Sequence, residues 1–202
     1  MMKLYYSPGA CSLAVRIVIN ELGIPCEYEA VNLSTKKTAT GSDFYKISPK
    51  GAVPTLEIKA GEILTENAVI QQYLADTHKR ADLLPAVGDM QRYRVLEWLN
   101  YITTELHKGA SPIFSSTITE EMKASIFRPA LQSKLAYVDQ MLGNKTYLMG
   151  DTFTLVDAYL FVILSWMGYL QINMSEYANL TRYFEALKKR PSIAKSLAEE
   201  KK

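Results

Sequence analysis

Hydrophobic residues alternate at strand spacing and at helix spacing through the first 80 positions, then keep helix spacing to the end. Lys3-Leu4-Tyr5-Tyr6 reads as a short strand, and Ser7-Pro8-Gly9-Ala10 has turn chemistry. Leu13, Val15, Ile17, Val18, Ile19 and Leu22 then make a strongly apolar helix, with Arg16, Asn20 and Glu21 on its remaining face, that Gly23 and Pro25 end. Residues 27–31 alternate as a half-buried strand does. A loop rich in Lys, Thr and Gly spans 32–42, and a short helical piece at Phe44-Tyr45 leads to Ser48-Pro49-Lys50-Gly51. Strands at 55–58 and 62–64 flank Lys59-Ala60-Gly61, which suits a hairpin turn. A helix follows over 66–77, with Ala68, Val69, Tyr73 and Leu74 as its expected buried set. The order β-α-β, then β-β-α, predicts an open mixed sheet with helices packed on it.

Past Leu83-Leu84-Pro85 the strand pattern stops. Helical periodicity covers 89–107, 120–142, 154–168 and 175–189, and Pro191 opens a last short helix. Two domains are expected, an α/β domain over 1–80 and an all-helical one over 88–202. Thr154-Leu155-Val156-Asp157 has the spacing of a capping box, a folding signal worth ~1 kcal/mol.

With 23 Lys and Arg against 21 Asp and Glu, the net charge of +2 offers no electrostatic footprint for nucleic acid or an anionic membrane. The longest apolar run, 155–164, contains Asp157 and is too short to cross a bilayer. Two cysteines, Cys11 and Cys26, with only His78 and His107, give neither a disulfide framework nor zinc-type spacing, so no metal is expected. With no signal-peptide pattern at the N-terminus, the expected location is the cytoplasm.

Cys11 carries the chemistry. It stands where the first strand passes into the first helix, facing first-turn N–H groups that favour the thiolate. The alternative is that it is buried and inert, as most lone cysteines are. Cys11-Ser12-Leu13-Ala14 lacks the second cysteine of a dithiol redox motif. Asn100, Thr103, Thr104 and His107 lie close to one stripe of a regular helix.

These residues, taken in order, resemble the bacterial, cysteine-type (beta) class of glutathione S-transferases. The resemblance runs nearly end to end. It rests on the segment from Lys3 through Cys11 to Leu13, on Pro49-Lys50-Gly51-Ala52-Val53-Pro54, on Leu64-Thr65-Glu66, and on Gln72-Tyr73-Leu74-Ala75-Asp76. In the second half it continues through Glu97-Trp98-Leu99-Asn100-Tyr101, Thr104-Glu105-Leu106-His107-Lys108-Gly109 and Phe153-Thr154-Leu155-Val156-Asp157-Ala158-Tyr159.

The resemblance implies a thioredoxin-like N-terminal domain, an all-α C-terminal domain and glutathione as co-substrate. It implies that Val53, beside a cis Pro54, pairs through its backbone with the cysteinyl part of glutathione, as in strand addition. Glu66 and Asn67 would hold the γ-glutamyl end, and Lys36, with Lys37 as competitor, the glycine carboxylate. Asn100, Thr104, Glu105, Leu106 and His107 would complete the site, His107 beside the thiol as a second catalytic residue. Tyr5 and Tyr6 are expected to pack rather than activate glutathione, and Cys26 to be structural. A homodimer and a hydrophobic electrophile, held near Ile113, Phe114, Trp166 and Tyr169, are also implied.

Two reactions suit this set: conjugation of glutathione to an electrophile, as in detoxification, and thiol exchange through a mixed disulfide at Cys11. A non-catalytic binding or stress protein on the same fold, or a glutathione-dependent isomerase or dehalogenase, are the alternatives.

Overall fold

The computed structural model describes residues 1–201, which fall into two compact units. The first comprises residues 1–81 together with 190–201. Its strands are β1 (Met2–Tyr6), β2 (Cys26–Asn32), β3 (Lys37–Thr38), β4 (Thr55–Lys59) and β5 (Glu62–Thr65). Helix α1 (Ser12–Leu22) links β1 to β2, and α2 (Asn67–Thr77) follows β5. The sheet order is β3-β2-β1-β4-β5, with β1 and β2 parallel and every other pair antiparallel. This is the expected mixed sheet, with a crossover helix joining its one parallel pair. The two-residue β3 lies inside the segment expected to be loop.

Residues 12–19 of α1 are all buried, and Gly23 ends the helix in the left-handed region at φ 68°. Arg16 is 2% exposed. Its guanidinium lies 3.8 Å from the Tyr28 ring centroid and 4.3 Å from that of Tyr6, with Glu199 and Glu200 at 3.4 and 3.5 Å. Stacking and charge pairing together offset the loss of water around the buried cation.

The second domain is expected over 88–202, and within the structure its residues 190–201 group with the first unit. The C-terminal helix (Pro191–Glu199) packs on α1 within the first unit. Glu21 accepts from Arg190 Nε at 2.9 Å, Arg190 Nη2 at 2.6 Å and Ser192 Oγ at 2.6 Å. Burial opposes the Glu21 charge, but these donors outweigh it and hold the carboxyl below its ordinary value. Helical periodicity announces this helix and cannot say which core it joins.

The second unit spans residues 82–189. Its helices are α3 (Met90–Tyr101), α4 (Lys108–Phe114), α5 (Glu120–Met122), α6 (Arg128–Leu142), α7 (Leu155–Ser165) and α8 (Ala178–Lys188). The continuous helix expected over 89–107 changes character at Ile102–His107, a π turn in which the Lys108 N–H reaches back five residues to the Thr103 carbonyl. A second π turn, Lys123–Phe127, interrupts the helix expected over 120–142. Residues 155–164 of α7 are all buried. No helix among the described residues is long and apolar enough to cross a membrane.

The capping box at the start of α7 is formed. Asp157, with 0% exposure, receives the Thr154 N–H at 2.8 Å and the Thr154 hydroxyl at 3.1 Å on one oxygen. Its other oxygen accepts the Leu148 N–H at 2.9 Å and the Tyr183 hydroxyl at 2.7 Å. Burial raises its pKa against the pull of these bonds. The carboxylate ties three segments of the helical core, which is more than a local cap does. Asp157→Ala should therefore cost about 3 kcal/mol, since it strands several buried donors at once. Urea denaturation checks this, and a midpoint equal to wild type would contradict it.

Candidate functional site

Cys11 occupies the N-cap of α1, with the Ala14 N–H returning to its carbonyl at 3.1 Å. The loop before it is closed by a reciprocal clasp, in which the Ser7 N–H donates to Ser12 Oγ and that hydroxyl donates back to the Ser7 carbonyl, both at 3.2 Å. The sulfur makes no cap bond to the first-turn N–H groups it was expected to face. Sγ donates instead to the Val53 carbonyl at 3.3 Å. Such a bond uses the S–H form of the side chain, since only S–H can donate to a carbonyl. The Val53–Pro54 bond is cis, and Thr55 begins β4 immediately after it.

Lys36, at φ 55°, sends Nζ to the Gly51 carbonyl at 2.8 Å. Gly51 is required there: at φ +58° an added Cβ would lie 2.5 Å from the Tyr45 ring. Lys37 is committed to β3 through its backbone and its side chain is exposed. Of the two candidate lysines, Lys36 is the one anchored beside residues 51–54.

Glu66 sits between β5 and α2 at φ 72°, ψ 118°, a conformation that costs a non-glycine residue roughly 1–3 kcal/mol. It makes no side-chain cap. Its carboxylate pairs with Lys50 Nζ at 2.6 Å, and that ammonium also donates to Thr65 Oγ1 at 3.0 Å. The expectation for Asn67 needs correction. Its amide does not point outward to a ligand: Asn67 is 6% exposed, Nδ2 donates to the Cys11 carbonyl at 2.6 Å, and Oδ1 accepts from Gln71 Nε2 at 2.6 Å. With both ends used, only the main chain of Asn67, in the first turn of α2, remains to meet an anion.

The buried face of α2 is correspondingly rotated from the expected one. Asn67, Ile70, Gln71, Leu74 and Ala75 are inside, and Val69 is 45% exposed. Hydrophobicity alone misplaces the face because two amides are buried there, joined by the Gln71–Asn67 bond.

Within the helical unit, Asn100 and Thr104 are exposed, with the Thr104 hydroxyl on the Asn100 carbonyl at 3.1 Å. Glu105 pairs with Lys134 at 2.8 Å, and Leu106, at 0% exposure, is a core side chain. The π turn shifts residues 102–107 from the regular helical stripe. His107 is half-buried, with Nδ1 2.6 Å from the Tyr159 hydroxyl and its ring 5.1 Å from that of Trp166. Burial, with a smaller contribution from the Lys108 charge, lowers its pKa to about 4. The imidazole is therefore neutral at pH 7 and serves as a hydrogen-bonding group. The aromatic run continues from Trp166 to Phe114 at 5.4 Å and from Phe114 to a stacked Tyr169 at 5.5 Å.

Neither cysteine is in a disulfide. Cys26 opens β2, and burial pushes its thiol up to about 11. Tyr5 donates to Glu57 at 3.2 Å, and burial with the Glu57 charge pushes its hydroxyl up to about 12, so it stays protonated. No cluster of three or more His, Cys, Asp or Glu residues able to hold a metal occurs among the described residues.

Lys50, Gln71 and Tyr159 escaped the reading of the sequence. Lys50 lies inside the segment that carried the resemblance, and Gln71 stands one helical turn after Asn67, a spacing at which such side chains meet. Nothing local marks Tyr159 as the partner of His107.

A mixed β-α-β-β-β-α sheet with a cysteine at its first strand-helix junction and a cis-proline opening β4, followed by a helical unit, defines a class of protein. Family models agree: residues 1–76 match the glutathione S-transferase N-terminal domain and residues 104–200 the glutathione S-transferase C-terminal domain. The chain belongs to the glutathione S-transferase family. It is 40% identical over 199 residues to glutathione S-transferase GstA of Escherichia coli O157:H7, covering 98% of each chain. It superposes with a TM-score of 0.93 at 38% identity on a sphingomonad glutathione S-transferase complexed with glutathione, covering 98% of both chains. The bacterial beta-class enzyme of Sphingomonas chungbukensis gives the same TM-score, 0.93, at 39% identity and 98% coverage of both.

The pH dependence of stability provides a check on His107. A base whose pKa is lower in the folded state takes up its proton preferentially on unfolding, so its contribution is intact above the unfolded value of 6.5 and is lost as the pH falls toward about 4. Between pH 7.5 and pH 5 the loss from this group should be about 2 kcal/mol. Chemical denaturation at both pH values should show a shallower loss in His107→Gln than in wild type, and parallel losses would contradict the burial of the imidazole.

Proposed function

We propose that this chain transfers glutathione and that its main chemistry is thiol-disulfide exchange through Cys11. The observation that carries this is the position of Cys11 Sγ, 3.3 Å from the carbonyl of Val53, the residue before the cis-proline. In the proposed complex, the cysteinyl N–H of glutathione donates to that carbonyl, as an added strand would. A carbonyl oxygen has two lone pairs and can serve both donors. One backbone atom would then bring the two sulfurs together, and this proximity is the main catalytic contribution asked of the fold.

The exchange balances as two displacements. The Cys11 thiolate attacks the glutathione sulfur of a mixed disulfide, forming a Cys11–glutathione disulfide and expelling the other thiolate, which takes up a proton. A second glutathione, as thiolate, then attacks the glutathione sulfur of that disulfide. It releases glutathione disulfide and restores Cys11, which regains a proton from solvent.

Lys36 is proposed to pair with the glycine carboxylate, supported by its anchorage beside residues 51–54. Glu66 is proposed to exchange Lys50 for the ligand's ammonium. The γ-glutamyl carboxylate would meet the first-turn N–H groups of α2, including those of Asn67 and Ala68. The roles of Asn100, Thr104, Glu105, Leu106 and His107 toward glutathione are proposed on family resemblance, with main-chain rather than side-chain contact for Leu106.

Conjugation to a hydrophobic electrophile is a second reading, favoured by the exposed stacked pair Phe114 and Tyr169, at 42% and 77% exposure. It needs no covalent bond to Cys11. Homodimer formation and a cytoplasmic location are proposed as well, the latter supported by two thiols that suit a reducing compartment.

Exposure to glutathione disulfide followed by peptide mass mapping should find one adduct, at Cys11, that dithiothreitol removes. Cys26 should stay unmodified, because its raised pKa leaves little thiolate at neutral pH. Cys11→Ser should lose the adduct and most thiol exchange while retaining conjugation. Reaction at Cys26 with Cys11 untouched would overturn the proposal.

A further inference from the structure

Asn67 and Gln71 stand out among buried polar residues because neither serves the ordinary needs of a helix. Gln71 has 0% exposure and lies one turn into α2, where an apolar residue would fill the space without desolvating an amide. Its Nε2 donates to Asn67 Oδ1 at 2.6 Å, while its own Oε1 has no protein hydrogen-bond partner. The direction of the relay is fixed chemically. The Cys11 carbonyl can only accept, so Asn67 must present Nδ2 to it, and Oδ1 is then left to accept from Gln71.

The relay ends on the one backbone carbonyl that belongs to the reactive residue. That carbonyl already receives the Ala14 N–H at 3.1 Å, and Asn67 Nδ2 supplies a further donor from another helix. On its other side, Cys11 Sγ meets Val53 at 3.3 Å. The thiol-bearing residue is thus pinned through its backbone by α2 and aimed through its side chain at the residue before the cis-proline. Small errors in such an arrangement are expensive, since displacement of reacting atoms by about 1 Å can cost on the order of 100-fold in rate.

We infer that Asn67 is a positioning residue for Cys11, with Gln71 locking its rotamer, and that the pair sets the geometry of thiol exchange without touching glutathione through their side chains. The inference deepens the proposed function and rests on Cys11 being its nucleophile.

The test uses Asn67→Ala and Gln71→Met in the full-length protein. Asn67→Ala should lower kcat for glutathione-dependent disulfide exchange about tenfold. Gln71→Met leaves Asn67 in place but unlocked, and should lower kcat about threefold while leaving the calorimetric affinity for glutathione, measured in a Cys11→Ala background, within twofold. It also serves if Asn67→Ala fails to fold. Hydrogen exchange of the segment 7–14, followed by mass spectrometry without any ligand, should accelerate in both variants. That arm needs no glutathione, so it reads the clamp even if wild type proved unable to bind glutathione and the functional proposal fell. A parallel loss of affinity in the Cys11→Ala background would make Asn67 a ligand contact and overturn the inference. Folded variants with wild-type kcat and wild-type exchange over 7–14 would overturn it too, reducing the pair to core packing.

Discussion

The backbone around Cys11 is held by atoms far away in sequence, and the site depends on that constraint. The Val53 carbonyl accepts a hydrogen bond from the Cys11 thiol, the Asn67 amide donates to the Cys11 carbonyl, and the Ser7–Ser12 clasp closes the preceding loop. Each bond is modest alone, worth about 1 kcal/mol net. Their convergence brings the start of α1, the start of α2 and the entrance to β4 to one point. The mixed sheet makes this possible, because the central β1 pairs with β2 on one side and β4 on the other.

Charge at the site follows from the same convergence. Lys36 and Lys50 come from the segments on either side of Phe44–Lys46 and settle on Gly51 and Glu66 respectively. Two cations and one strained carboxylate at the surface suit a ligand that carries two carboxylates and an ammonium. In the helical unit, burial does the opposite work. It removes the charge of His107 and embeds Asp157 among four donors, so one residue of the quoted motifs offers a neutral ring and another holds a core together.

Much of this was legible in the sequence, and the division has a physical basis. The strands other than β3, the Gly23 stop, the hairpin before β5 and the capping box at Thr154 are local features, written in short patterns that survive folding. Cys11 was singled out by its place where a strand passes into a helix, and Val53 and Pro54 by a family resemblance that joined segments no periodicity connects. What stayed hidden is tertiary. The amide of Asn67 could face the ligand or the core, and only packing against Cys11 and Gln71 decides. The π turns at 102–107 and 123–127 leave no mark in a hydrophobic pattern read at 3.6 residues per turn. The C-terminal helix looks like one more member of the helical unit until Arg190 and Ser192 are seen on Glu21.

The most direct test is a crystal structure of the protein with glutathione bound. The cysteinyl backbone of glutathione should pair with Val53, its sulfur should lie within about 4 Å of Cys11 Sγ, and the Asn67 amide should still hold the Cys11 carbonyl. Glutathione bound with its sulfur turned away from Cys11, or seated on residues other than 51–54 and the start of α2, would contradict the account.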